Sequence, residues 1–150
     1  MKKFKSKFAT LLRYRKNLKD QAMADYAMAQ SELNRGIEAL EKLYTEVDEN
    51  FKNTQNVREQ GGTTGESLKT HDEFFAGQQI RIENQRQVVR QLKEIAEEKH
   101  MVLVEKLVEQ KSIEKLEEKE KKAHQEMVKK KEQIRLDDLA VMTQKRGARL

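Results

Sequence analysis

No proline interrupts the 150 residues of this chain, and its only cluster of helix breakers is Gly61, Gly62 and Gly65. Proline removes a backbone donor and clashes with the preceding turn, so its absence permits very long helices. Glycines grouped this closely among Thr and Ser mark a turn. One turn between two long uninterrupted segments is therefore the frame for everything else.

Both segments carry apolar residues at helical spacing. Phe4, Phe8, Leu11 and Leu18 lead into Tyr26, Leu33, Leu40 and Val47, which recur every seven residues, with Ala22, Ala29, Gly36 and Leu43 at the companion positions. This is the seam of a coiled coil, and its small residues permit close approach of a second helix. Ile37, Tyr44 and Phe51 widen it by one flank. After the glycines, Thr70 and Glu73 have capping-box spacing, which predicts a helix start near His71. Val88, Ile95, Val102, Leu116 and Ala123 then recur in sevens with gaps, accompanied by Leu92, Ile113, Met127, Ile134 and Val141. Gly77 is an isolated weak point, and Gly147 a stop.

The expected fold is all-α: two long helices forming an antiparallel coiled-coil hairpin, with helix 2 longer than helix 1. A single domain covers 1–150, with helix 1 at about 3–55, the turn at about 56–69 and helix 2 at about 70–146. Pairing backwards from the turn sets the N-terminus against residues 120–125. About 25 residues of helix 2 then project past helix 1, at 1.5 Å of rise each. That projection holds EQIRLDDLAVMTQKRG, residues 132–147, an apolar spacing around the acidic pair Asp137 and Asp138.

Composition agrees with an extended helical protein. Charged residues make up 38% and apolar residues 36%, short of the roughly 45–50% apolar content of globular chains. Zero Cys excludes disulfides and thiol chemistry, and fits a reducing compartment. No apolar run approaches a membrane span, and the basic N-terminal stretch lacks the continuous apolar core of a secretory signal, so none is expected. Positive charge gathers at both ends: residues 1–20 carry eight Lys or Arg against one acid, and 128–150 seven against three. Antiparallel pairing brings the ends together, so a polarised rod with one positive tip is expected. Such a tip steers towards an acidic protein cavity, anionic lipid or nucleic acid.

Catalytic chemistry is not evident. GGTTGES lacks the G-K-[ST] of a phosphate-binding loop. His71, His100 and His124 lie far apart in sequence and are read as solvated, so neither metal nor cofactor is expected. No specific nucleic-acid motif is present. MVLVEKLV at 101–108 is read as a wide core stripe or a partner-binding face, and FKSKF at 4–8 as seam or membrane-surface segment. Phe74 and Phe75 either close the turn end or join Tyr44 and Phe51 in an aromatic docking patch.

FKSKFATLLRYRKNLKDQAMADYAMAQ and EKEKKAHQEMVKKKEQIRLDDLAVMTQKRG resemble the opening and closing patterns of the flagellar export protein FliJ family. The opening shares aromatic residues, a Leu pair, an R-x-R/K element, then an acid and Ala. The close shares a Lys/Glu-rich helix, a D-[DE]-x-A segment and a basic finish. Gln78, where an apolar residue is expected after Phe74, departs from the pattern.

The resemblance implies a non-enzymatic stalk, similar to the central stalk of rotary ATPases. Its paired termini would enter the flagellar export ATPase hexamer, promote ring assembly and couple the ring to the export gate membrane protein. Handling of export chaperones is also implied, with a cytoplasmic location at the inner face of the membrane. The expected ring contacts are Arg13, Arg15, Ile134, Leu136, Asp137, Asp138, Leu139 and Met142; the expected gate contacts are Tyr44, Phe51, Phe74 and Phe75. The alternatives are the stalk of a virulence-type secretion system, or an adaptor using the basic tip on anionic membrane or nucleic acid.

Overall fold

The computed structural model describes residues 3–61 and 65–148. Two helices account for nearly all of them: α1 (Ala9–Glu59) and the longer α2 (Gly65–Ala148), which pack on each other as a helical hairpin. The chain forms two compact units. One is Gln21–Val104; the other joins the N-terminal stretch through Asp20 to the chain from Glu105 onward.

The helix ends follow from local hydrogen bonding. Helix α1 starts at Ala9 rather than near Lys3: a turn precedes it in which the Ala9 amide donates to the Ser6 carbonyl at 3.4 Å and Ser6 Oγ accepts from the Phe8 amide at 3.1 Å. The Lys7 amide donates across the unit to Glu120 Oε1 at 3.5 Å. The Phe8 bond occupies a donor that a helix N-terminus leaves free. At the other end, the Gly61 amide donates to the Arg58 carbonyl at 3.2 Å with φ at 71°. That left-handed conformation suits glycine at the position following a helix.

Residues 62–64 of the expected turn lie outside the described residues. Helix α2 is already formed at Gly65, and Thr70 lies inside it, its hydroxyl donating to the Glu66 carbonyl at 3.0 Å. The capping box at Thr70 and Glu73 is thus not used. Gly77 is accommodated within the helix.

In the unit 21–104 the helices run antiparallel. Tyr26 meets His100, Gly36 meets Leu92, Tyr44 meets Arg86 and Thr54 meets His71. Ala22, Ala29 and Gly36 are buried on α1, as their size suggests. A Cβ on Gly36 would stand 2.8 Å from Leu92 Cδ1, so the backbone there approaches as closely as glycine allows. Gln85 Nε2 uses that proximity to donate to the Gly36 carbonyl at 3.0 Å.

The seam of α2 keeps Leu92 and Ile113 of the expected one, both half-buried, and otherwise differs from it. Its buried residues are Gln78, Ile82, Ala96 and Leu103, with Gln85, Val89 and Leu92 half-buried between them. Val88, Ile95 and Val102 each remain 42% exposed, Leu116 43%, and Ala123 is exposed. The two heptad series are neighbours on the helix, and the one carrying Leu92 and Val89 packs against Gly36. The wide core stripe expected at 101–108 also gives way. Only Leu103 is buried there, while Met101, Val102, Val104 and Val108 are exposed.

Gln78 is the most buried side chain among the described residues, at 1% exposure. Its Nε2 donates to Glu46 Oε2 at 3.0 Å, and its Oε1 accepts from Arg81 at 3.0 Å. The histidines are not simply solvated. His71 Nδ1 lies 3.1 Å from Thr54 Oγ1 and 3.3 Å from Asn50 Oδ1. Thr54 already donates to the Asn50 carbonyl at 2.8 Å, which leaves His71 Nδ1 to carry the proton. His100 and His124 lean on Tyr26 and Phe4, at 5.2 and 5.5 Å between ring centroids.

Candidate interaction segment at the end of helix α2

The unit holding both chain ends is built differently from its neighbour. Every fully buried apolar residue among the described residues belongs to 21–104: Ala22, Ala29, Ile82, Ala96 and Leu103. In the other unit Phe4, Phe8, Leu12, Leu18, Leu107 and Ile113 are only half-buried. FKSKF continues the seam there, with the Phe4 ring tilted against His124.

The remaining seam positions of this unit are polar. Arg15 binds Glu109 at 2.7 Å, with Lys106 also 3.6 Å from that carboxylate. Arg15 Nε, Gln110 Oε1, Glu117 Oε2 and Glu120 Oε2 are buried without a protein hydrogen-bond partner. Each such atom weakens the contact it lies in, by about 1–3 kcal/mol if solvent cannot reach it. This seam is the weaker of the two.

Antiparallel contact in this unit runs from Arg15–Glu109 through Lys7–Glu120 to Phe4–His124. Val128 is the last half-buried residue, and 129–147 are exposed throughout although helical. Ile134, Leu136, Leu139, Val141 and Met142 are 51–61% exposed. Ile134 and Leu136 are two residues apart, so they project from roughly opposite sides of the helix at about 100° per residue. Leu139 and Met142 fill the arc between them. The segment thus has apolar residues around much of its circumference, rather than one amphipathic patch. A helix apolar on several sides is suited to being surrounded.

Polar groups in the segment make few bonds of their own. Gln133 Nε2 donates to Asp137 Oδ1 at 3.2 Å, and the Thr143 hydroxyl donates to the Leu139 carbonyl at 2.8 Å. Lys129, Lys130, Lys131, Arg135, Lys145 and Arg146 stand against Glu132, Asp137 and Asp138, so the segment is net positive. Its unit as a whole carries twenty-one basic and eleven acidic residues; 21–104 carries ten and fifteen.

The sequence-predicted contacts fall into separate places. Ile134, Leu136, Asp137, Asp138, Leu139 and Met142 lie together on the exposed segment. Arg13 is exposed and Arg15 is half-buried in its ion pair, and Glu109 precedes Ile134 by about 37 Å of helix. The two arginines therefore do not join the segment. Near the turn, Phe51, Phe74 and Phe75 cluster, with centroids 6.5 Å apart for Phe51–Phe75 and 6.1 Å for Phe74–Phe75. Tyr44 stands two helical turns away, where its hydroxyl accepts from Arg86 Nε at 2.8 Å and its ring lies under the guanidinium. That phenol holds the Arg86 guanidinium above its ordinary pKa.

The sequence marks Gln78 only as a departure from the family pattern and does not single out Glu46 or Gln85; the Gln78 and Gln85 amides bond across the seam, to the Glu46 carboxylate and the Gly36 carbonyl. The available signal was the heptad Ile82, Val89, Ala96 and Leu103, with Gln78 and Gln85 at its companion positions. Among the described residues no cluster of three His, Cys, Asp or Glu is placed to hold a metal, and no helix is long and apolar enough to cross a membrane.

A family model described as the flagellar FliJ protein matches residues 4–149, nearly the whole chain. Searches of curated proteins and of solved structures returned no match.

Proposed function

The chain belongs to the flagellar FliJ protein family, components of flagellar type III export, and from this we propose that it is a non-enzymatic stalk of the export ATPase. In this reading residues 129–147 enter the ATPase ring, promote its assembly and couple it to the membrane export gate at the flagellar base. Ile134, Leu136, Leu139 and Met142 make the apolar contacts, and Asp137 and Asp138 meet basic groups of the ring. Phe51, Phe74 and Phe75 form the contact with the gate protein, with Tyr44 at its edge. Export chaperones would be handled by the same assembly.

The observation that supports this most directly is the exposed helical end with apolar side chains on opposite faces. A partner that lies along one side would leave either Ile134 or Leu136 in water. A ring with a central opening covers both. Positive charge in the same unit adds long-range attraction to an acidic opening. Arg15 contributes indirectly, by tying the N-terminal stretch to α2 through Glu109.

The test is capture of the cognate export ATPase by the full chain, with hexamer formation followed by mass photometry. Wild type should bind and raise the hexamer fraction. Ile134→Asp with Leu136→Asp and Leu139→Asp should reduce capture at least tenfold while helicity is retained. Asp137→Ala with Leu139→Ala should weaken it by a smaller factor. Undiminished capture by these variants would refute the tip assignment. Failure of wild type to bind, with attachment to anionic vesicles that survives about 0.15 M salt, would replace the stalk by a membrane adaptor.

A further inference from the structure

A second apolar strip runs along α2 beside the seam, within the unit 21–104. Val88, Gln91, Ile95, Glu98 and Val102 are spaced alternately by three and four residues, so they lie in one line along the helix. Val88, Ile95 and Val102 share the same exposure, 42%, and Gln91 and Glu98 are exposed. No side-chain bond among the described residues engages Gln91 or Glu98. Val89, Leu92, Ala96 and Leu103 take the places facing α1, so the strip is not needed for the hairpin's own packing.

The strip is self-complementary about Ile95. Val88 and Val102 lie seven residues to either side. Gln91, an amide donor, lies four residues before Ile95, and Glu98, a carboxylate acceptor, three residues after it. Laid antiparallel on itself, the strip sets Ile95 on Ile95, Val88 on Val102, and Gln91 opposite Glu98. A groove beside Ile95 extends the match. Asp25 and Glu32 of α1 and Lys99 of α2 line it together with Met28 and Ala29. Rotation about Ile95 brings the second copy's Lys99 towards Glu32.

We infer that Val88–Val102 is a twofold docking surface for a second copy of this chain. Each contact then occurs twice, as a closed isologous pair requires. Three apolar layers make a small interface, so the dimer is weak and its population depends on concentration. The inference does not rest on the ATPase reading, since it uses no residue of 129–147.

The absence of cysteine from the chain makes the test direct. In sedimentation velocity, wild type should pass from monomer to dimer as concentration rises, and Ile95→Lys should stay monomeric with its helicity intact. Under mild oxidation Ile95→Cys should cross-link to itself. Val88→Cys should not, because its two copies would stand about 21 Å apart along the antiparallel pair. A mixture of Val88→Cys and Val102→Cys should cross-link. Met101→Cys, at a 72%-exposed position on another face, serves as the control and should remain uncoupled. The proposal is overturned by a wild-type monomer at all concentrations, or by a dimer that survives Ile95→Lys. It is also overturned if Met101→Cys links as readily as Ile95→Cys, or if a monomeric chain needs this strip to capture a different protein.

Discussion

Gln78 of α2 donates its amide to the Glu46 carboxylate of α1 at 3.0 Å, from the most buried position among the described residues. A polar group at a seam position restricts register, because every shifted pairing leaves it without a partner. Gln85, seven residues on, does the same against the Gly36 carbonyl. The unit 21–104 is therefore aligned by two amides as well as by apolar packing.

Gln78→Ala should lower unfolding stability by about 2 kcal/mol, since it leaves a cavity and deprives Arg81 and Glu46 of a partner. Gln78→Leu fills the space, and Glu46 is half-exposed and can turn to water. Its stability should fall within about 1 kcal/mol of wild type, with looser register. Urea titration measures the first effect, and paired cysteine cross-linking across the seam measures the second.

Gly36 should tolerate alanine and reject leucine. The added methyl of Gly36→Ala meets the free end of Leu92, which can swing aside, and alanine is favoured in a helix by about 1 kcal/mol. Thermal unfolding of Gly36→Ala should therefore stay near wild type or rise. Gly36→Leu also displaces Val89 and Gln85, and should cost about 1–3 kcal/mol.

Arg15→Ala should cost only about 0.5–1 kcal/mol, because both members of the Arg15–Glu109 pair are about a third exposed. Hydrogen exchange should locate the effect: amides of 9–20 and 105–120 exchange faster, and those of 29–103 do not change. Salt near 1 M should shrink the difference between variant and wild type.

Ile134→Asp and Leu139→Asp should leave the unfolding free energy of the free protein within about 0.5 kcal/mol of wild type, since neither side chain is buried in the chain itself. Limited trypsin digestion should cut first among Lys129–Arg135. Addition of the export ATPase should protect those bonds in wild type and not in the variants. A large loss of stability from either substitution would mean that the segment packs on its own chain.

The heptad of α1 was legible because it is nearly unbroken: Tyr26, Leu33, Leu40 and Val47 alternate with small residues that have no other reason to recur. The N-terminal pairing was legible too, since counting back from the glycines reaches His124 and Glu120, which Phe4 and Lys7 meet. On α2 two apolar series run side by side, and periodicity does not distinguish the one that faces α1. The strip with more β-branched residues, Val88, Ile95 and Val102, turned outward. The series containing Gln78, Gln85 and Ala96 turned inward. The resemblance groups Arg15 with the end segment, whereas geometry pairs it with Glu109, far down the helix.

The sequence by itself determined that the chain forms two long helices around one glycine turn, and that the second runs on past the pairing of the first. Those properties depend on backbone chemistry and residue count, which are local. Only the tertiary structure decided which face of α2 is buried, which polar groups are paired across the seam and where apolar side chains are left in water. Those outcomes depend on contacts between residues distant in sequence, such as Gly36 with Leu92 and Val89 and Gln85 with the Gly36 carbonyl, which together fix the turn of α2 about its axis. The same turn that buries Gln78 leaves Val88, Ile95 and Val102 outside.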